Sequence, residues 1–175
     1  MCYPSFDEVK AGVIDAFRCF YLNDACLVHI NAHERSMTFR LGMYLQQIFS
    51  GWDVDCEYNR NISEPNRIKS IPWQNVYPDV IIHRRGTDNN LLAIEAKPPN
   101  KSRDEIDEAK YKIEEYVRHK PLRYQLGLFI EFKDNFECTC ANLQWYRRGR
   151  DKKLQWYDND GVMIPPENRT EKQDE

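Results

Sequence analysis

The chain has 175 residues, 41% hydrophobic and 30% charged, enough for one domain with its own core beneath a solvated surface. A net charge of −3 excludes a wholesale polycation, so any nucleic-acid contact needs a local basic patch. Its seven glycines form neither a GxGxxG nor a GxxxxGK[ST] array, which excludes a dinucleotide fingerprint and a P-loop.

In chain order, Ser5 followed by Glu8 fits a capping box, and Val9, Val13, Phe17 and Phe20 recur at helical spacing, predicting a helix over residues 6–22. A second helix is expected over residues 32–49, with Met37, Leu41, Tyr44, Leu45, Ile48 and Phe49 as its apolar stripe and Ser50-Gly51 as its end. Residues 23–31 carry no clear pattern. After Gly51 the period becomes two: Trp52, Val54, Cys56 and Tyr58 alternate with Asp53, Asp55 and Glu57, predicting a strand with one polar face. Residues 59–74, with two prolines and no apolar run, read as a long surface loop. Residues 76–85 and 91–97 are rich in Val, Ile and Leu and flank a turn-forming segment, predicting a hairpin. Pro98-Pro99 stops the second strand, and Ser102 with Glu105 caps a helix to about His119. Ile106, Ala109, Ile113 and Val117 face inward on it, with Glu108–Lys112 and Glu114–Arg118 on the solvated side. Residues 125–132 read as a strand buried on both faces, and 143–147 and 154–157 as short late strands. The fold class expected is α/β (α+β), a central mixed sheet flanked by helices, with residues 1–164 as one domain and 165–175 as a frayed tail.

Chemistry concentrates in Tyr77-Pro78-Asp79 and Ile94-Glu95-Ala96-Lys97. Strand alternation sends Glu95 and Lys97 to one face and Ala96 to the other. A hairpin register symmetric about Thr87 sets Asp79 opposite Glu95, on a shared face. Like charges so placed destabilise a sheet unless a cation intervenes, and a hard divalent cation takes one or two carboxylates plus waters and phosphate. With Lys97 beside them to meet developing negative charge, the chemistry implied is phosphodiester hydrolysis.

Pro78-Asp79, fifteen residues, then Glu95-Ala96-Lys97 resembles the signature of the PD-(D/E)xK nuclease superfamily, the restriction-endonuclease-like fold. The resemblance covers about 100 residues, over which the expected element order matches that family's α-β-β-β-α-β core, with an extra N-terminal helix ahead of it. It implies a DNA-directed nuclease using Mg²⁺ or Mn²⁺, with Asp79, Glu95 and the backbone carbonyl of Ala96 as metal ligands and Lys97 as the catalytic lysine. Glu34 matches the family's helix glutamate, reaching the metal directly or through water, with Glu57 and Asp55 behind it. The alternative is a catalytically silent or partner-dependent binding module of the same fold. A phosphodiesterase acting on a small nucleotide is less favoured, since no base-binding motif is present.

Candidate phosphate contacts are Arg84, Arg85, Lys101, Arg103, Arg147 and Arg148, the last two opening a basic run that continues through Arg150, Lys152 and Lys153. Tyr58, Trp73 and Tyr77 could stack on bases, although capping the sheet is the reading preferred. His29, His33 and Glu34 fail the HExxH pattern, because Met37 stands where the second histidine belongs; His33 is expected in the first helical turn. Asp158-Asn159-Asp160-Gly161 imitates a calcium loop without its downstream ligands and reads as a β-turn. No apolar run reaches the roughly 18 residues of a membrane span, and residues 1–8 lack the features of a signal peptide. A cytoplasmic protein is therefore expected, with six reduced cysteines, a nucleic-acid partner, no membrane partner, and a homodimer or protein partner left open.

Overall fold

A computed structural model describes the backbone of residues 3–61, 64–135, 139–148 and 154–162, and the side chains of residues 3–60, 68–134 and 141–147. Helix α1 (Phe6–Asp24) starts at the expected capping box: Ser5 Oγ accepts from the Glu8 amide while Glu8 accepts from the Ser5 amide. A short α2 (Cys26–His29) fills the segment that had no legible pattern. Helix α3 (Glu34–Ile48) begins two residues later than the spacing suggests, because His33 is its N-cap rather than a first-turn residue. The side chain of His33 accepts from the Arg35 amide.

Strand β1 (Asp53–Cys56) follows, then two small ladders, β2 (Arg60–Asn61) with β3 (Glu64–Ile68), and β4 (Ser70–Ile71) with β5 (Gln74–Asn75). Residues 59–74 are thus not the plain surface loop that their polarity implies. The Lys69 amide donates to Asn59, Val76 donates back to Lys69, and Ile71 and Val76 are buried. Strands β6 (Val80–His83) and β7 (Asn90–Lys97) form the expected hairpin. Helix α4 (Arg103–Arg118), opened by the Ser102–Glu105 capping box, leads to β8 (Leu126–Asn135), β9 (Thr139–Arg148) and β10 (Leu154–Val162). Asp158 to Gly161 lies within β10, beside a register shift, and is not a separate turn. The predicted tail, 165–175, lies outside the described residues.

The main sheet has six strands in the order β1-β6-β7-β8-β9-β10. Every pairing is antiparallel except β7 with β8, which α4 connects. Helices α1 and α3 cover one face over Val80, Ile82, Leu92, Ile94 and Ala96. Helix α4 covers the other with Ala109, Ile113, Tyr116 and Val117 against Ile81, Ala93 and Phe129. Gly127 permits this closeness: a Cβ there would stand 2.6 Å from Ile113 Cγ2. Among the described residues, no helix is long and apolar enough to cross a membrane.

Candidate functional site

The hairpin register pairs Val80 with Ile94 and Ile81 with Ala93, and its irregularity falls between Ile82 and His83, next to the turn. One step past Val80, Asp79 therefore reaches the level of Glu95, as symmetry about Thr87 requires. Asp79 Oδ2 accepts a hydrogen bond from the Ala96 amide at 2.7 Å, which fixes this carboxylate at the end of β7. Glu95 is 3% exposed and points toward α4, where it accepts from the Tyr116 hydroxyl at 2.8 Å. Ala96 points the other way, into the core beneath α1 and α3.

Lys97 Nζ donates to both carboxylate oxygens of Glu34, each at 3.0 Å. Glu34 belongs to a helix on the opposite face from Glu95 and meets Lys97 at the end of the sheet. Together they line a cleft of about 540 Å³ between the start of α3 and the 98–101 loop, with Asn31, His33, Asn100 and Lys101.

Electrostatics follow from burial. Asp79 is pushed above the usual carboxylate range by desolvation and then by the Glu34 charge, against the Ala96 amide, Lys97 and Lys112. Glu95 is raised by desolvation and by Asp79, against Lys112, Tyr116 and Lys97. Burial works against the charge of Lys97, but Glu34, Asp79 and Glu95 outweigh it and hold its pKa above the ordinary lysine value. Fully ionised, the three carboxylates would outnumber the two ammonium groups, which adds to the effect of burial in raising Asp79 and Glu95. The chemistry of the donors, the hard carboxylate oxygens of Asp79 and Glu95, fits a hard divalent cation. Among the described residues, no group of three or more His, Cys, Asp or Glu side chains could hold a metal ion. Glu34 bonds Lys97 instead of completing such a trio. The two acids considered behind it are engaged elsewhere: Asp55 with His83 and Arg85, Glu57 with Arg35.

The sequence matched no family model and no curated protein.

Lys112 and Tyr116 are the residues that the sequence reading missed. Lys112 does pair with Glu108, as i,i+4 spacing predicts, yet it is only partly exposed and its charge acts on both Asp79 and Glu95. One turn on, Tyr116 is fully buried between the inward-facing Ile113 and Val117, and a buried hydroxyl requires a partner. That requirement was the available signal.

The proposed phosphate contacts are mostly dispersed. Arg84 stacks over the Trp52 ring and Arg85 binds Asp53 and Asp55, both at the turn end of the hairpin, away from Asp79. Arg147 lies over Phe6, on a strand position paired with Leu126, at the end of β8 remote from Glu131 and hence from Lys97. The Arg148 side chain, Arg150, Lys152 and Lys153 lie outside the described residues. Arg103 is exposed on the first turn of α4 and meets Asp107. Only Lys101 lines the cleft with Lys97, and it also bonds Glu105. Of the three aromatics, Tyr58 packs on His83 and beneath Lys69, whereas Trp73 and Tyr77 project into solvent.

Proposed function

We propose that the chain is a metal-dependent nuclease of the PD-(D/E)xK type, hydrolysing phosphodiester bonds with DNA as the first expected substrate. The observation that carries this reading is Asp79, partly buried and bonded to the Ala96 amide, at the level of the buried Glu95, with Lys97 at the next position facing a cleft. Topology supports it: three antiparallel strands, then α4 crossing to the parallel β8, follow the order of that family's core.

In this reading Asp79, Glu95 and the Ala96 carbonyl would hold Mg²⁺ or Mn²⁺. Bound there, the ion supplies Lewis acidity toward a phosphate oxygen and acidifies water. Tyr116 orients Glu95, and Lys112 offsets part of the negative charge of the pair. Lys97 keeps its proton and donates to phosphate oxygens as the water oxygen, releasing a proton to solvent, bonds to phosphorus and the departing sugar oxygen leaves and takes a proton from solvent. Glu34 positions the Lys97 ammonium.

One observation favours the silent-module alternative: Glu34 is bonded to Lys97 rather than gathered with the other two acids. Cleavage of plasmid and oligonucleotide DNA separates the two readings. The nuclease requires Mg²⁺ or Mn²⁺, stops in EDTA, and loses about 10²–10³-fold or more in rate in Lys97→Ala, the scale of removing one transition-state donor. Absence of metal-dependent cleavage by the wild type would favour the module.

A further inference from the structure

Trp73 is 100% exposed, at the tip of the β4–β5 hairpin, and its backbone has φ 75°. Ile71-Pro72-Trp73-Gln74 closes that hairpin, with Ile71 paired to Gln74. A proline followed by a positive-φ residue is the pattern of a turn whose second central position suits Gly or Asn. A bulky side chain there is strained, and an indole with no burial returns nothing to folding. The support beneath it is firm. Ile71 and Val76 are buried in the α4-side core, Val76 donates to the Lys69 carbonyl, and Lys69 Nζ donates to the buried Tyr124 hydroxyl at 2.8 Å. Lys69 itself is 3% exposed, over the Tyr58 and Tyr124 rings. The fold thus anchors both feet of a small hairpin and presents an unused aromatic plane.

Position decides what that plane meets. The chain runs from Trp73 through Tyr77, itself 52% exposed, to Asp79. Six residues span at most about 22 Å, so Trp73 stands within about six steps of a stacked strand from the candidate site. Its neighbours Gln74 and Asn75 are exposed and uncharged. One indole on a polar tip falls far short of the roughly 800 Å² per partner in a stable protein interface. It does match a single flat ring, and base–aromatic stacking is indifferent to sequence.

The geometry points to Trp73 as a stacking platform for an unpaired base, making the substrate of this site a nucleic acid with a single-stranded segment. This inference rests on the nuclease reading for the identity of the site, and binding tests it independently of cleavage. Fluorescence anisotropy in EDTA compares a labelled oligo-dT strand, an abasic strand of equal length and a duplex. Trp73→Ala should weaken oligo-dT binding about 5- to 150-fold, the range of one stacked base. Trp73→Phe should keep most of the affinity, and the abasic strand should not distinguish Trp73→Ala from wild type. The side chain is fully exposed, so Trp73→Ala should melt like the wild type. Equal oligo-dT affinity in Trp73→Ala and wild type would overturn the inference, as would no oligonucleotide binding by the wild type or an equal loss with the abasic strand. Metal-dependent cleavage accompanied by Trp73-independent binding would retain the nuclease and reject the platform. Trp73-dependent binding without cleavage would do the reverse.

Discussion

Tyr116→Phe removes one oxygen from a closed environment. The ring stays and no cavity opens, but Glu95 Oε1 loses its 2.8 Å donor at a position that water hardly reaches. Removing the donor leaves a buried acceptor unsatisfied, which costs about 1–3 kcal/mol. At about 2–4 °C per kcal/mol for a chain of this size, the melting temperature should fall by about 2–12 °C. The hydrogen bond also opposes the burial that raises Glu95, so its loss raises that carboxyl further and leaves it less ionised at neutral pH. Mn²⁺ affinity should then drop about 10- to 100-fold, the usual cost of losing the partner that orients a ligand. Thermal melts in EDTA and calorimetric Mn²⁺ titration measure the two effects. Tyr124→Phe is the control, because its hydroxyl faces Lys69: it should cost stability without changing Mn²⁺ affinity. A Tyr116→Phe protein that melts low but binds Mn²⁺ like the wild type would refute the reasoning, reducing Tyr116 to a packing role.

Two predictions concern pH. Burial pushes Lys69 down to about 7, with Asp55 partly opposing, so between that value and about 10.4 the folded chain binds fewer protons than the unfolded one. Stability owed to Lys69 therefore increases as pH rises through that window, and Lys69→Met should lose this gain; equal pH slopes of melting temperature in variant and wild type would contradict it. Asp79 has the opposite sign: its folded pKa is raised by burial and Glu34, so the stability it confers is complete below about 3.9 and declines as pH rises through the folded value. Asp79→Asn, which can still accept from the Ala96 amide, should lack that decline and melt above the wild type at neutral pH in EDTA; a lower melting temperature would show that the charge is not a burden.

What the sequence made legible was local or symmetric. Both capping boxes are four-residue patterns, and the hairpin register followed from the symmetry of its turn, so Asp79, Glu95 and Lys97 could be set together before any packing was known. Contacts that depend on how a helix crosses the sheet could not be read in this way. Lys112 looked solvated because its i,i+4 partner is real, yet the crossing of α4 also brings its charge to the two acids. Polarity concealed the ladders of residues 59–75, since nothing in that stretch announces that Lys69 is buried against the Tyr58 and Tyr124 rings. Arg84 and Arg85 looked available for phosphate because pairing with β1, which brings Trp52 beside Arg84 and Asp53 and Asp55 beside Arg85, is a long-range choice.

The central claim is that Asp79, Glu95 and Lys97 act together on a phosphodiester. Its most direct test is single-turnover cleavage by wild type, Asp79→Asn, Glu95→Gln and Lys97→Ala, purified identically and assayed with Mg²⁺, Mn²⁺ or EDTA. The account predicts metal-dependent cleavage by the wild type and its loss in all three folded variants. Cleavage at the wild-type rate in any of them, or none by the wild type with either metal, would contradict it.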